Sequence, residues 1–527
     1  MGEHIMDILD TIGKVCSKEI KEEENSIKQI TLTLLSAWTN NPQNTRILAP
    51  SGEGKTYLVT KLAKLFPEES VIILAKATPQ SFKYALSSKK VVEIEPGNFE
   101  NYDVIIKPLE EICRNTKDKD KKIEMEREIA KFKDSSYDLV DFSNKVIVLV
   151  DSQSFELFES IKTTLSHDQQ EIKSFSVNKA KSGTILGQKF LFRGFPAVIY
   201  CSAKDEQRLD STNEINTRFN TISLNASHKK YRKMLELEAL RSSLPKSIFQ
   251  EEVISEIEIK LLKEKIREVI KDVQEYDGCC NPYGLGLQHL FKDDAGFRTR
   301  QLKIVNNNIT IHTIANAQFR PKIIHSGIKI PITTRLDIEE ACSLLKESRE
   351  IQPYKIKFFN DNIRKAILEI GKEKPLVDGN IKCLTAGEIA DHLTKKGITT
   401  DRQRLQETFL KPLVDHGFLD EFTDSENRSR HLYILTHGFL ENEASLESTL
   451  VDTSLLDSSC LDSFVEKFLE HRFNSGDLKI LDENNNEITS KDLLLILHQI
   501  DAQIVQNRHK IETIEASTDI EKPGEIQ

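Results

Sequence analysis

Short apolar runs rich in β-branched residues punctuate the first half of the chain. Residues 70–77 (SVIILAKA), 145–151 (KVIVLVD) and 197–203 (AVIYCSA) have the unbroken apolarity of strands buried on both faces of a parallel sheet. Residues 45–49, 90–95 and 221–225 read as further strands. Between them, residues 57–65 and 154–165 carry helical periodicity, and strands alternating with helices predict an α/β domain. Residues 17–39 begin as a charged helix and turn amphipathic toward Trp38. The charged run 114–134 predicts an exposed helix inserted into the domain. From 226 to about 276 the pattern is helical, and 281–350 reads as helical with breaks at Pro321 and Pro331. No internal repeat is visible.

The resulting division is an N-terminal helical segment (1–43), an α/β core (44–228) with an insert (100–143) and a hairpin (171–193), and a helical region (229–350). A further unit (351–438) and an acidic tail (439–527) follow, the tail holding one helical stretch at 491–504. A chain of 527 residues accommodates about three domains. No window approaches the apolar length of a membrane span. The N-terminus places acids among its apolar residues and has no signal-like apolar core. Eight cysteines without a CxxC pair exclude a disulfide scaffold and a four-cysteine zinc site. The adjacent Cys279 and Cys280 read as reduced thiols, and the expected location is cytoplasmic.

Charge is unevenly spread. The net charge is −10, yet residues 441–527 hold 19 acids and 7 bases, so the rest of the chain is close to neutral. The tail is either a solvated acidic segment or one that masks a basic surface or recruits a basic partner.

Ala49-Pro50-Ser51-Gly52-Glu53-Gly54-Lys55-Thr56 fits the [AG]xxxxGK[ST] phosphate-loop pattern, between an apolar strand and a helix. Gly52 and Gly54 let the backbone curl so that successive N–H groups face a phosphate. The helix that follows presents its positive end to the same anion. Lys55 reaches the β- and γ-phosphates, the Thr56 hydroxyl serves Mg²⁺, and Ser51 to Tyr57 line the nucleotide. ATP and Mg²⁺ are thus the expected ligands. Asp151, ending an apolar strand, is the candidate to position Mg²⁺. Ser152 stands where a catalytic glutamate is usual, with Glu156 and Glu159 further along. Ser202, at the end of the next core strand, is the candidate sensor of the γ-phosphate or attacking water. Arg218 sits where oligomeric ATPases place an arginine that completes a neighbouring site.

Residues 171–177, 178–184 and 185–193 read as strand, turn and strand, with Lys179 and Lys181 near the tip. These lysines are either contacts to a nucleic-acid backbone or ordinary solvated charges.

The order of phosphate loop, VLVD strand, hairpin, VIYCSA strand and NTRF (216–219) resembles an AAA+-type ATPase. More closely, it resembles the helicase portion of primase–helicase proteins of mobile elements and archaea. APSGEGKTYLV (49–59), ATPQSFKYAL (77–86), RGFPAVIYCSA (193–203) and the block 281–323 carry the likeness. The resemblance implies a P-loop NTPase (AAA+-like) fold and helicase activity on DNA. It implies assembly into a homo-oligomeric ring, usually hexameric, with single-stranded DNA in the ring. No primase-type zinc motif or polymerase carboxylate cluster precedes the ATPase, so primer synthesis is not expected.

Residues 354–370, 385–396 and 400–416 read as three helices, the second opened by a Thr385–Glu388 capping box and ended by Gly397. Pro412 is expected to kink the third. Two short strands, 417–422 and 431–435, complete a C-terminal winged-helix domain. Its third helix would meet duplex DNA through Arg402, Arg404 and Lys411, with Arg428 and Arg430 on the wing. The segment carries nearly balanced charge, so protein docking stays open beside DNA binding. For the whole chain, a DNA helicase or translocase stands beside an ATP-dependent DNA-binding switch, such as a replication initiator or regulator, which Ser152 favours.

Overall fold

The computed structural model describes residues 7–519, apart from 50–51, 152, 168, 180–184, 203–217, 226, 246, 250–254, 277, 291–297, 326, 347–352, 377–378, 416–417, 425–429, 436–461, 464, 469–478 and 483. Ser51, Ser152, Lys181 and Arg428 therefore lie outside the described residues. Among those described, ten strands form two sheets in the first half of the chain. They are β1 (Asn44–Leu48), β2 (Val71–Leu74), β3 (Ser87–Glu95), β4 (Asn98–Asn101), β5 (Ser136–Asp141), β6 (Val146–Leu149), β7 (Glu171–Lys179), β8 (Ile185–Arg193), β9 (Ala197–Ser202) and β10 (Asn220–Ser223).

The central sheet has the order β10-β1-β9-β6-β2, with every neighbouring pair parallel. Strand periodicity explains its burial on both faces. Val146 and Val148 of β6, with Ala197, Ile199 and Cys201 of β9, enter one core with α1 (Ile8–Ser17), α2 (Glu24–Ser36) and α3 (Lys55–Ala63). Ile147, Leu149, Val198 and Tyr200 point the other way, into a second core with α4 (Pro79–Leu86) and, beyond α5 (Tyr102–Asn115) and α6 (Lys119–Asp134), α7 (Phe155–Ser166). Each buried Val, Ile or Leu among them contributes roughly 1.5–3 kcal/mol by leaving water, which fixes the layer order.

A second sheet has the order β4-β3-β5-β8-β7. Residues 90–95, read as a strand, belong to it, because β3 pairs antiparallel with β4 and β5. The predicted hairpin is present, with Glu171 opposite Arg193 and Lys179 opposite Ile185. β8 also lies parallel to β5 and joins hairpin and insert into one sheet. The charged run forms α6, whose described residues are mostly exposed.

Downstream come α8 (His228–Ser243), α9 (Glu256–Glu275), α10 (Arg298–Ala315) and α11 (Arg335–Lys346). Leu262, Ile266, Val269, Ile270 and Val273 of α9 and Ile311 and Ile314 of α10 join the first core. The region read as helical also holds a hairpin, β11 (Lys322–His325) and β12 (Ile328–Pro331), so Pro321 precedes one strand and Pro331 ends the other rather than interrupting helices.

Next, α12 opens at Pro353–Phe358, passes a π-helical turn over Phe359–Arg364 and closes with Lys365–Ile370. Strands β13 (Lys372–Leu376) and β14 (Gly379–Thr385) precede α13 (Ala386–Lys395). The helix α14 runs from Arg402–Leu405 through a π-helical turn, Gln406–Leu410, to Lys411–Asp415, so its irregularity precedes Pro412. β15 (Leu419–Thr423) and β16 (His431–Leu435) complete a sheet of order β13-β14-β16-β15. The capping box forms as read: Glu388 N–H donates to Thr385 Oγ1 at 3.2 Å, and Thr385 N–H to Glu388 Oε2 at 2.9 Å. Gly397, at φ +86°, follows the helix end in a conformation costly to other residues.

The region expected as an acidic tail supplies β17 (Lys479–Leu481), β18 (Glu487–Ile488) and α15 (Ser490–Asp519). β17 pairs with β11. Leu493 and Leu497 of α15 pack with Ile323, Ile332 and Ile480.

Candidate nucleotide site

In an open parallel sheet, ligands meet the carboxyl ends of the strands near the point where the strand order reverses. That edge brings together the loop after β1, the end of β9 and the turn after β6. β9 lies between the other two strands, with Leu48 beside Ser202 and Leu149 beside Tyr200. Three separately predicted positions thus share this edge: Ser202 ends β9, Asp151 follows β6, and Lys55 opens the helix after the loop that follows β1.

The loop itself is fit to hold phosphate. Gly52 and Gly54 adopt φ of +92° and +85°, and a Cβ at either would meet nothing within 4 Å. The left-handed backbone requires glycine, and the open space leaves room for an anion. Gly54 is the N-cap of α3, so the helix dipole begins at the loop. Lys55 is buried, and its Nζ donates to the Ala49 carbonyl at 2.6 Å, across the mouth of the loop. Burial lowers its ammonium pKa, a cost that a bound polyphosphate would offset.

Thr56 donates through Oγ1 to the Val150 carbonyl at 3.4 Å, so this hydroxyl adjoins the residue before Asp151. Both Thr56 and Asp151 are exposed. A hydroxyl and a carboxylate so placed suit a Mg²⁺ ion or the waters around it. Tyr57 faces the N-terminal segment, its hydroxyl donating to Glu19 Oε2 at 2.7 Å. Ser202 is fully buried, and Ala49 N–H donates to its carbonyl at 3.4 Å.

Two residues important to this geometry escaped the sequence reading. Gln153 is buried: its Oε1 accepts from Ala77 N–H at 2.9 Å, and its Nε2 donates to the Ala75 and Asp151 carbonyls at 2.8 and 2.7 Å. It pins the turn carrying Asp151 to the segment after β2. Its amide lacks the charge needed to act as a base. Glu156, in the first turn of α7, is exposed, and so is Glu159. The second residue is Lys230, whose Nζ approaches Glu53 in the middle of the loop. One lysine in the run HKKYRK carries no local mark of burial.

Arg218 is elsewhere. It stands before β10, at the amino edge of the sheet and opposite the phosphate loop, and is half-buried. The β7–β8 hairpin rises from that same edge: Gly194 N–H donates to the Gln170 carbonyl at 2.9 Å at its base, just before β9 begins. Lys179 ends β7. In the C-terminal unit, Arg402, Arg404 and Lys411 lie exposed along α14, whose Leu405, Leu410 and Leu413 are buried, and Arg430 is exposed just before β16. Among the described residues no helix is long and apolar enough to cross a membrane, and no three His, Cys, Asp or Glu side chains gather as a metal site.

Comparison with protein-family models and with curated proteins gives no match. Among solved structures, the chain is similar to the SCCmec type IV Cch active helicase, at 12% identity and a TM-score of 0.28 over 84% of this chain and 74% of that one. It is also similar to the ORC1 protein of Aeropyrum pernix in complex with DNA, at 12% identity and a TM-score of 0.22 over 85% and 94%. A third is Drosophila ORC bound to DNA, at 12% and 0.22 over 82% and 96%.

Proposed function

We propose that this chain binds ATP with Mg²⁺ at the phosphate loop and couples its hydrolysis to work on DNA. The role would be that of a helicase- or translocase-like protein in DNA replication or the maintenance of a mobile element. The observation that carries this reading is the strand order, in which β9 separates the loop-bearing strand from the strand leading to Asp151. That order aligns a cation, a hydroxyl and a carboxylate on one edge around a glycine-rich anion cradle. Lys55 would hold the β- and γ-phosphates, Thr56 and Asp151 the Mg²⁺, and Ser202 would stand nearest the terminal phosphate. Hydrolysis of the triphosphate would supply the free energy.

Arg218, on the far edge, cannot serve its own loop, which favours action on a neighbouring copy and so a homo-oligomer, a ring of six by the resemblance. Lys179 and Lys181 of the hairpin would then meet a single strand in the ring. The helices α12 to α14 with the β15–β16 hairpin read as a winged helix. It would bind duplex DNA through Arg402, Arg404, Lys411, Arg428 and Arg430, in a cytoplasmic protein.

One observation favours a second reading. Gln153 holds the turn after β6 by three hydrogen bonds, Ser152 occupies the usual glutamate position, and Glu156 lies out on α7. A turn held this way, with serine where the glutamate is usual, suits an ATP-dependent DNA-binding switch with slow turnover. Steady-state ATPase with and without single-stranded DNA, in wild type, Lys55→Ala and Arg218→Ala, separates the two. Turnover stimulated by DNA and lost in both variants supports the motor. ATP-dependent DNA binding with negligible turnover supports the switch, and the absence of both refutes the proposal.

A further inference from the structure

Helix α8 stands largely in solvent. Among its described residues only Lys230 is buried, while Leu235 is 73% exposed. The buried residue is thus the charged one, and packing does not explain it. Its environment does. Lys230 Nζ donates to Glu23 Oε1 and to the Asn225 carbonyl, each at 2.8 Å, and to the Glu53 carbonyl at 3.4 Å. Glu53 Oε2 lies 3.5 Å away. Tyr231, the next residue, donates its hydroxyl to Glu53 Oε1 at 2.8 Å.

Glu23 is itself held in place. It accepts from Asn225 N–H at 2.8 Å and from Ser26 Oγ at 2.7 Å. Burying a lysine and a carboxylate is costly unless each is paired and hydrogen-bonded, and here every ammonium contact is to a fixed oxygen. The ammonium therefore joins the start of α2, the segment after β10 and the centre of the phosphate loop.

The consequence for the loop follows from peptide planarity. In a trans peptide the C=O and the following N–H point in opposite directions. With the Glu53 carbonyl turned to Lys230, the Gly54 N–H points away from α8. Glu53 lies between the two left-handed glycines, where the peptide plane is freest to rotate. A buried cation on this carbonyl removes that freedom.

We propose that Lys230 is a positioning residue of the nucleotide site. It fixes the Glu53 peptide so that the loop's N–H groups converge on phosphate, and it ties occupancy of the loop to the order of α8. This rests on the reading of the loop as an ATP site. The test pairs a titration with mant-ATP and Mg²⁺ with hydrogen exchange of residues 228–243, with and without ATP.

Wild type should bind, and ATP should slow exchange in α8. Lys230→Met should weaken binding about tenfold, the scale of one charge-assisted contact, and abolish the ATP-dependent protection. Because Lys230→Met strands two carboxylates, the double variant Glu23→Gln/Lys230→Met and the mild Tyr231→Phe are run beside it. The double variant should show the same loss in a folded protein, and Tyr231→Phe a smaller loss of protection with the same sign. Binding within twofold of wild type in the double variant, with α8 still protected by ATP, overturns the inference alone. Failure of wild type to bind mant-ATP overturns both the inference and the reading beneath it.

Discussion

Replacing Asp337 with Asn should destabilise the chain by about 3–5 kcal/mol, the cost of removing one partner from a buried ionic cluster. Asp337, fully buried on α11, accepts from His312 Nδ1 at 2.6 Å and from Arg320 Nη2 and Nε at 2.7 and 3.2 Å. Thr334 N–H adds a contact at 2.8 Å. On its other side His312 meets Asp7 Oδ2 at 2.5 Å, and Asp7 caps α1 through Leu9 N–H at 2.8 Å. Asp501 of α15 also acts on the cluster, its carboxyl pushed up to about 6, chiefly by burial. Asp337→Asn leaves the Arg320 guanidinium and the imidazolium with one compensating charge fewer in a site closed to water.

The same cluster sets a pH dependence. Burial alone would depress His312, but the carboxylates of Asp7 and Asp337 outweigh it and raise its pKa to about 10. The folded state therefore keeps a proton that the unfolded chain releases near pH ~6.5. This contribution is complete below that pH and is lost as pH rises toward 10. Trp38, the chain's single tryptophan, reports the transition. It stacks on Phe66 at 6.1 Å and shares a core with Ile311 and Ile314, on the same helix as His312. Urea unfolding followed by Trp38 fluorescence should show a wild-type midpoint falling between pH 6.5 and 9.5. The Asp337→Asn midpoint should be lower throughout and fall less steeply. A variant within about 1 kcal/mol of wild type, below the range expected for a buried pair, or a flat wild-type profile, would refute the reasoning.

Gly54→Ala forces a left-handed φ on a residue with a Cβ, at about 1–2 kcal/mol; thermal unfolding should record a modest loss while calorimetry finds nucleotide binding abolished. Thr385→Ala removes the capping box of α13 and should cost about 1 kcal/mol, seen as faster hydrogen exchange over residues 386–395. Glu388, held down to about 2 by the Lys372 ammonium and the Thr385 cap against the opposing effect of burial, contributes stability that is complete above its unfolded pKa of ~4.3. That part should be lost as pH falls from there toward 2, and it should be absent from an acid titration of Glu388→Gln. Gln153→Ala frees the turn bearing Asp151 and should lower Mg²⁺-dependent ATP affinity with an unchanged far-ultraviolet spectrum; equal affinity would mean that the turn holds itself.

Local patterns were readable where local chemistry decides the structure. The central strands announced themselves because a strand buried on both faces admits only apolar residues, as at Val146–Leu149. The phosphate loop was equally plain, since its two glycines, Lys55 and Thr56 all fall within residues 52–56. The second sheet was not, because its strands mix charges with apolar residues and β5 finds β8 only across some fifty residues of chain. Pro321 and Pro331 suggested interrupted helices because the strand that covers β11, Lys479–Leu481, comes far later. The same limit hid Lys230. Its neighbours Lys229 and Lys233 are chemically identical and more exposed, pairing with Glu22 at 3.1 and 2.6 Å, and only the fold decides which of the three turns inward.

The claim on which the rest depends is that the carboxyl edge of β1, β9 and β6 is an ATP–Mg²⁺ site. Isothermal titration of the full chain with ATP tests it most directly, with and without Mg²⁺, in wild type, Lys55→Ala and Asp151→Asn. One site per chain is expected in wild type, lost in Lys55→Ala, with the enhancement by Mg²⁺ lost in Asp151→Asn. Undiminished binding in Lys55→Ala, or no binding in wild type, would contradict it.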